Sequence, residues 1–322
     1  MVPTKRKATM KRIQYHNYGG PEVMRFEDFQ PARPGSGEVL IRVRAAAANP
    51  YDWKVRNGEM KMMSGRKFPR GLGYDFAGVV EAVGPGVTRV GVGDEVLGVA
   101  PIKMSGAFAE MVLAVEKAIV KKPAEISFEE AAAIPTIGGA ALQGLVTKGK
   151  LRAGQSVFIH GCLGGGRARC CADRTDTRSL DCGRELPCER DARRTRPGRR
   201  PGRRVRFRCN HTGGEVRHRL RHRGHACARD GTQVTGPGGG RIIDIVPSGA
   251  KFLKSALPGP YTVLITQHNV EDLEELARMC ATGELRLPIA RTVPLQDAIP
   301  ALTELERNNT PRGGGKLIIT TG

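Results

Sequence analysis

The chain has 322 residues, enough for one large or two ordinary domains, and a formal charge of +20 at pH 7. That charge is local: residues 166–235 hold 20 Arg, no Lys and 8 acidic residues, which is +12 of the total. The remaining residues carry +8, an ordinary surface and not a nucleic-acid footprint, and no apolar run reaches membrane-spanning length.

In chain order, residues 1–10 are short and basic without an apolar signal core, so a disordered extension is expected and no secretory leader. Residues 11–125 read as short strands broken by turns, a small barrel-like β domain. Arg12 to Tyr15, Glu38 to Arg44 and Gly78 to Val83 cluster β-formers, and Pro34-Gly35, Pro85-Gly86 and Gly91 to Asp94 punctuate them. The period then changes. Ser127 with Glu130 three residues on has capping-box spacing for a helix through Ala133. Gln155 to His160 reads as a buried strand that runs into Gly161, Cys162, Leu163, Gly164, Gly165 and Gly166. A strand ending in glycines lets the backbone approach a pyrophosphate and aims the next helix's N-terminus at it. Gly240 to Pro247 resumes as a later strand, and Val270 to Gly283 is a helix with Leu273, Leu276, Ala277 and Cys280 on one face. Gly315 to Ile319 is a last strand, in which a surface cation is the plain alternative reading of Lys316. Cys162 and Cys280 are the cysteines outside residues 166–235, too few for a disulfide framework and compatible with a reducing cytoplasm.

Residues 166–235 break this pattern. They hold six of the eight Cys and four of the seven His, with neither the spacing of a buried helix nor the apolar run of a buried strand. Arg, Gly, Pro, Cys and Ala without Lys are what GC-rich codons encode in any frame. Codons for His218 to Gly224, followed by His225, permit Ile-Val-Phe-Asp-Thr-Ala-Gly when read one base later, a buried parallel strand. The same shift at Arg167 to Thr175 permits Gly-Arg-Ala-Ala-Val-Gln-Ile-Ala-Arg, a helix opening directly after the glycine loop. Both edges fall in glycine runs, Gly164 to Gly166 and Gly238 to Gly240, so residues 166–237 are expected to be an out-of-frame, disordered insert bounded by two compensating shifts. The alternatives are an Arg-rich nucleic-acid-binding arm, which lacks aromatic stacking partners, and a Cys/His metal-binding insert, which lacks paired C-x-x-C knuckles.

Ala48 to Lys54, Gly73 to Gly78, Gly93 to Val96, Ala132 to Pro135, the Gly164-Gly165 turn and Gly315-Lys316 together resemble the zinc-independent quinone oxidoreductases of the medium-chain dehydrogenase/reductase superfamily. The resemblance covers residues 11–165 and 238–322. It implies an α/β chain with a GroES-like β domain over 11–125, completed by about 285–322, and a Rossmann-like doubly wound domain over 126–284. It further implies NADPH as cofactor, a quinone or enone as substrate, a homodimer, a cytoplasmic location and no membrane partner. By resemblance, Asn49 contacts the nicotinamide end, Tyr51 lies beside the substrate as the catalytic candidate, and Gly161, Leu163, Gly164, Gly165 and Gly166 bind the cofactor. Gly73-Tyr74-Asp75 stands where zinc alcohol dehydrogenases carry Gly-His-Glu, so no zinc site is expected. As translated, the helix after the glycine loop is replaced by Arg167 to Asp173, so impaired cofactor binding is expected.

Overall fold

The computed structural model describes residues 9–103, 106–151, 171–173, 179–181, 241–245, 249–308 and 315–322. A seven-stranded sheet dominates. Its long central strand is β3 (Glu38–Ala47), where Val39, Ile41 and Val43 alternate inward as the two-residue pleat period requires. β3 pairs antiparallel with β5 (Asp75–Val83) and with β7 (Met111–Val115), and β5 continues to β6 (Glu95–Val99) and β8 (Ile119–Lys121). Register shifts between Leu40 and Ile41 and between Val43 and Ala45 bend the β3–β5 pair, the local twist that curls a sheet toward a barrel. A three-stranded sheet of β2 (Arg25–Phe29), β1 (Met10–Tyr15) and β4 (Arg70–Gly71) packs on this barrel through Ile13, Tyr15 and Met24.

The last segment of the chain returns to the first. β14 (Lys316–Thr320) pairs antiparallel with β3, Ile318 opposite Ala47, and β13 (Ile289–Pro294) adds in parallel outside it. Helix Ala298–Asn308 lies between them in sequence and buries Ala298, Ala301, Leu302 and Leu305 in the barrel's core. Arg56, buried on helix α1 (Pro50–Arg56), makes a two-pronged pair with Glu306 of that helix at 2.8 and 2.7 Å.

Helix α2 (Lys61–Ser64) is a single turn. Helix α3 (Phe128–Ala133) begins as its capping box dictates: Glu130 N–H donates to Ser127 Oγ at 3.2 Å, and Ser127 N–H donates to Glu130 Oε2 at 2.9 Å. Its three alanines let it lie close on the sheet, and helix α4 (Pro135–Leu142) follows after one residue. Helix Val270–Ala281 packs on helix α4 and on β8, and adds Leu273, Leu276, Ala277 and Met279 to the apolar cluster that holds those alanines. Each such fully buried leucine contributes about 1.5–3 kcal/mol. Beyond it, β11 (Ile242–Asp244) and β12 (Tyr261–Val263) run parallel, joined by helix Gly249–Ala256, a β–α–β unit.

Within the Arg-rich stretch the described residues are β9 (Cys171–Asp173) and β10 (Ser179–Asp181), which pair antiparallel. The expected strand over Gln155 to His160, the glycine loop and the disorder expected of residues 1–10 and 166–237 otherwise lie outside the described residues.

Candidate active site

Five segments converge on one buried polar cluster. The first is the turn from β3 into α1, where Asn49 is the N-cap with extended backbone and Pro50 takes the first helical position, which needs no N–H donor. Asp52, at the third helical position, accepts the Asn49 N–H at 2.6 Å, so it fixes the helix start. The second is Asp75, the first residue of β5, set there by a turn through Gly73. Gly73 has φ +88°, and a Cβ on it would stand 2.4 Å from the Phe108 ring, so only glycine fits. The third is the start of α4: Thr136 donates its N–H to Asp75 Oδ2 at 3.1 Å and its hydroxyl to Asp75 Oδ1 at 2.6 Å. A carboxylate at a helix N-terminus is favoured by the free amides and dipole there.

The fourth segment is the start of β14. Lys316, only 4 % exposed, donates to the Ala48 carbonyl at 3.1 Å and to Asn49 Oδ1. This overturns the surface-cation reading. Gly315, with φ +121°, lets the chain pass so close to Pro288 that a Cβ would lie 2.5 Å from its carbonyl oxygen, and the next residue is thereby aimed inward. Burial lowers the ammonium's pKa, and Asp75 and Asp52 partly offset it.

Asn49 is the hub of these contacts. Its Nδ2 donates to Asp75 Oδ2 at 2.9 Å and to the Ala47 carbonyl at 3.3 Å, while Oδ1 accepts from Lys316. Both amide hydrogens are engaged by the protein, so Asn49 has no free donor to offer a ligand. Tyr51 is different. It is half-buried, its ring lies edge-on to Tyr74 at 5.0 Å and 71°, and its hydroxyl has no hydrogen-bond partner among the described residues. Burial first, and the nearby Asp52 second, push its pKa up to about 12, so the hydroxyl keeps its proton at neutral pH.

The fifth segment is the loop before helix Val270–Ala281. Gln143 donates to the Gln267 carbonyl at 2.6 Å and accepts the Gln267 N–H at 3.0 Å, a reciprocal clamp on the residue before His268. His268 is half-buried; desolvation lowers its pKa and Asp75 opposes that shift. Sequence reasoning brought Asn49 and Tyr51 to this place but missed Thr136 and His268, and it named Asp75 only as a missing zinc ligand. Thr136 directly after Pro135 was a readable sign of a helix start open to an acid; His268 had no such sign. Among the described residues no group of three His, Cys, Asp or Glu could hold a metal ion. Gly161, Leu163, Gly164, Gly165 and Gly166 lie outside the described residues, so their relation to the cluster rests on the resemblance alone.

Residues 35–124 match the family described as "Alcohol dehydrogenase GroES-like domain", and residues 204–319 match "Zinc-binding dehydrogenase". A quinone oxidoreductase of Pseudomonas aeruginosa is 41 % identical over 156 residues, 48 % of this chain and 46 % of that protein. The matched stretch thus spans about half the length of that curated relative. Among solved structures, the quinone oxidoreductase of Coxiella burnetii superposes with a TM-score of 0.72 at 25 % identity, covering 97 % of this chain and 99 % of that one. The Escherichia coli quinone oxidoreductase, solved in complex with NADPH, gives 0.69 at 22 % identity over 96 % and 99 % of the two chains, a likeness of fold. The fold is therefore α/β, with the GroES-like and Rossmann-like parts of those structures. Over the matched stretches the chain is similar to quinone oxidoreductases of the medium-chain dehydrogenase/reductase superfamily.

Proposed function

We propose that the chain is built for NADPH-dependent reduction of a quinone or an activated alkene, without zinc. Its division is a GroES-like domain over 11–125, completed by about 285–322, and a cofactor domain over 126–284, in a cytoplasmic homodimer. The family's relatives named as quinone oxidoreductases, one of them bound to NADPH, support this reading. The observation that carries it is the Tyr51 hydroxyl, held protonated by burial and without a hydrogen-bond partner among the described residues, beside the Asn49–Asp75–Lys316 cluster whose members bond to one another.

The nicotinamide cofactor would supply a hydride; the residues expected to hold it are the Gly161 to Gly166 loop at its phosphates and the Asn49 turn at its nicotinamide end. Because the Asn49 amide is saturated, this turn acts by shape and by Lys316, whose third N–H is uncommitted to any described residue. Tyr51 donates its hydroxyl proton in a hydrogen bond to the substrate's carbonyl oxygen and stabilises the charge that grows there. Asp75, engaged by Thr136 and Asn49, holds the three segments in register and touches no substrate.

We further propose that residues 166–237, as translated, are out of frame and impair the cofactor site. The test is NADPH oxidation with 1,4-benzoquinone by this chain and by a version whose frame is restored across the two glycine runs. Turnover is expected in the restored chain and is lost or strongly reduced in the translated one; equal turnover in both would show that the segment does no damage. In the restored chain Tyr51→Phe is expected to lower kcat/KM about tenfold, the worth of one hydrogen bond made in the transition state.

A further inference from the structure

The cluster contains two buried carboxyls, Asp52 and Asp75, and a single buried ammonium, Lys316. Their hydrogen bonding is unequal. Asp75 receives three donors, Thr136 N–H, Thr136 Oγ1–H and Asn49 Nδ2–H, at a helix N-terminus. It is joined to Lys316 through the Asn49 amide, which accepts from the ammonium at Oδ1 and donates to the carboxylate at Nδ2. The amide dipole therefore lies along the line from cation to anion and couples the two charges without direct contact. Asp52, 2 % exposed, receives one donor, the Asn49 N–H on Oδ2. Its Oδ1 is buried without a partner among the described residues. A charged carboxylate with a bare buried oxygen is far costlier than a neutral acid there.

We infer that Asp52 is held as the uncharged carboxylic acid at neutral pH, with its proton on Oδ1, while Asp75 bears the negative charge that answers Lys316. The groups facing Asp52 agree. Asp75 at the start of β5 repels a second negative charge, while Lys316 on β14 and Arg56 on its own helix attract one, and the Tyr51 and Tyr74 hydroxyls within its electrostatic reach are kept neutral by burial. Burial outweighs the two cations and raises the carboxyl to about 8. The turn that carries Asn49 and Tyr51 is thereby a pH-sensitive clasp. Ionising Asp52 places a second, unanswered negative charge beneath it. The sign comes from linkage: a carboxyl whose folded value lies above its unfolded one stabilises fully below about 4, and that stability is lost progressively up to about 8.

The experiment compares the full chain with Asp52→Asn and Asp75→Asn in urea unfolding between pH 4 and 9, followed by the fluorescence of Trp53, the single tryptophan, which adjoins Asp52. Asparagine at 52 reproduces the neutral acid, its amide N–H standing in for the acid O–H. Its unfolding midpoint is expected to match the wild type near pH 4 and to exceed it by a margin that widens up to about pH 8. Asp75→Asn is expected to fall below the wild type at every pH. Infrared difference spectra at pH 7 read the native chain directly and need no cooperative unfolding. The protonated-carboxyl stretch of the wild type should vanish in Asp52→Asn and persist in Asp75→Asn. A stretch that vanishes only in Asp75→Asn, or no such stretch at all, overturns the assignment, as does a pH-independent margin for Asp52→Asn. These readouts need neither cofactor nor substrate, so the inference stands or falls separately from the reductase reading.

Discussion

Single residues in this molecule act chiefly by what they permit their neighbours to do. Gly73 has no side chain to contribute, yet its left-handed backbone brings Tyr74 and Asp75 into the site. Gly73→Ala combines left-handed strain with displacement of the Phe108 ring, and is expected to destabilise the chain by about 2–3 kcal/mol, read as a lowered urea midpoint. Lys316 shows why charge type alone misleads. A lysine between Gly315 and the apolar Leu317, Ile318 and Ile319 reads as a surface break in a strand. The structure buries it because the Ala48 carbonyl, the Asn49 amide and the nearby Asp75 replace the water it loses. Such compensation comes from residues about 270 positions away, which no local window contains. The Tyr51 ring packs edge-on against Tyr74, and that its hydroxyl has no hydrogen-bond partner among the described residues could not be read from sequence.

At the scale of elements, what was legible had a local cause. The Ser127–Glu130 box states its own helix start, since both partners lie within four residues, and the contacts form as spaced. Ser127→Ala should therefore cost about 1 kcal/mol, seen as a small fall in the thermal midpoint, and leave the site's polar cluster intact. The apolar stripe of helix Val270–Ala281 was equally readable, because Leu273, Leu276 and Ala277 repeat at helical spacing. Helix α1 was not. Asn49 and Pro50 look like a turn, and the helix after them is recognisable only once Asp52 is seen to accept the Asn49 N–H. The short strands β4 and β8 escaped for a similar reason: two or three residues carry no period, and pairing with β1 and β6 makes them strands.

For the whole molecule, the decisive ties run between the first and last parts of the chain. β14 completes the sheet on β3, Arg56 grips Glu306, and Lys316 reaches the Asn49 turn. The order of intact motifs on either side of residues 166–237 made this architecture readable despite the anomalous segment. The cofactor half was readable only as an expectation, because the glycine loop and most of the residues after it, up to 240, lie outside the described residues. The most direct measurement is NADPH binding, titrated by the cofactor's fluorescence against the chain as translated and against the frame-restored chain. Saturable binding is predicted for the restored chain, and weak or absent binding for the translated one. Saturable binding of equal strength to both would contradict the claim that the segment as translated disables the cofactor site.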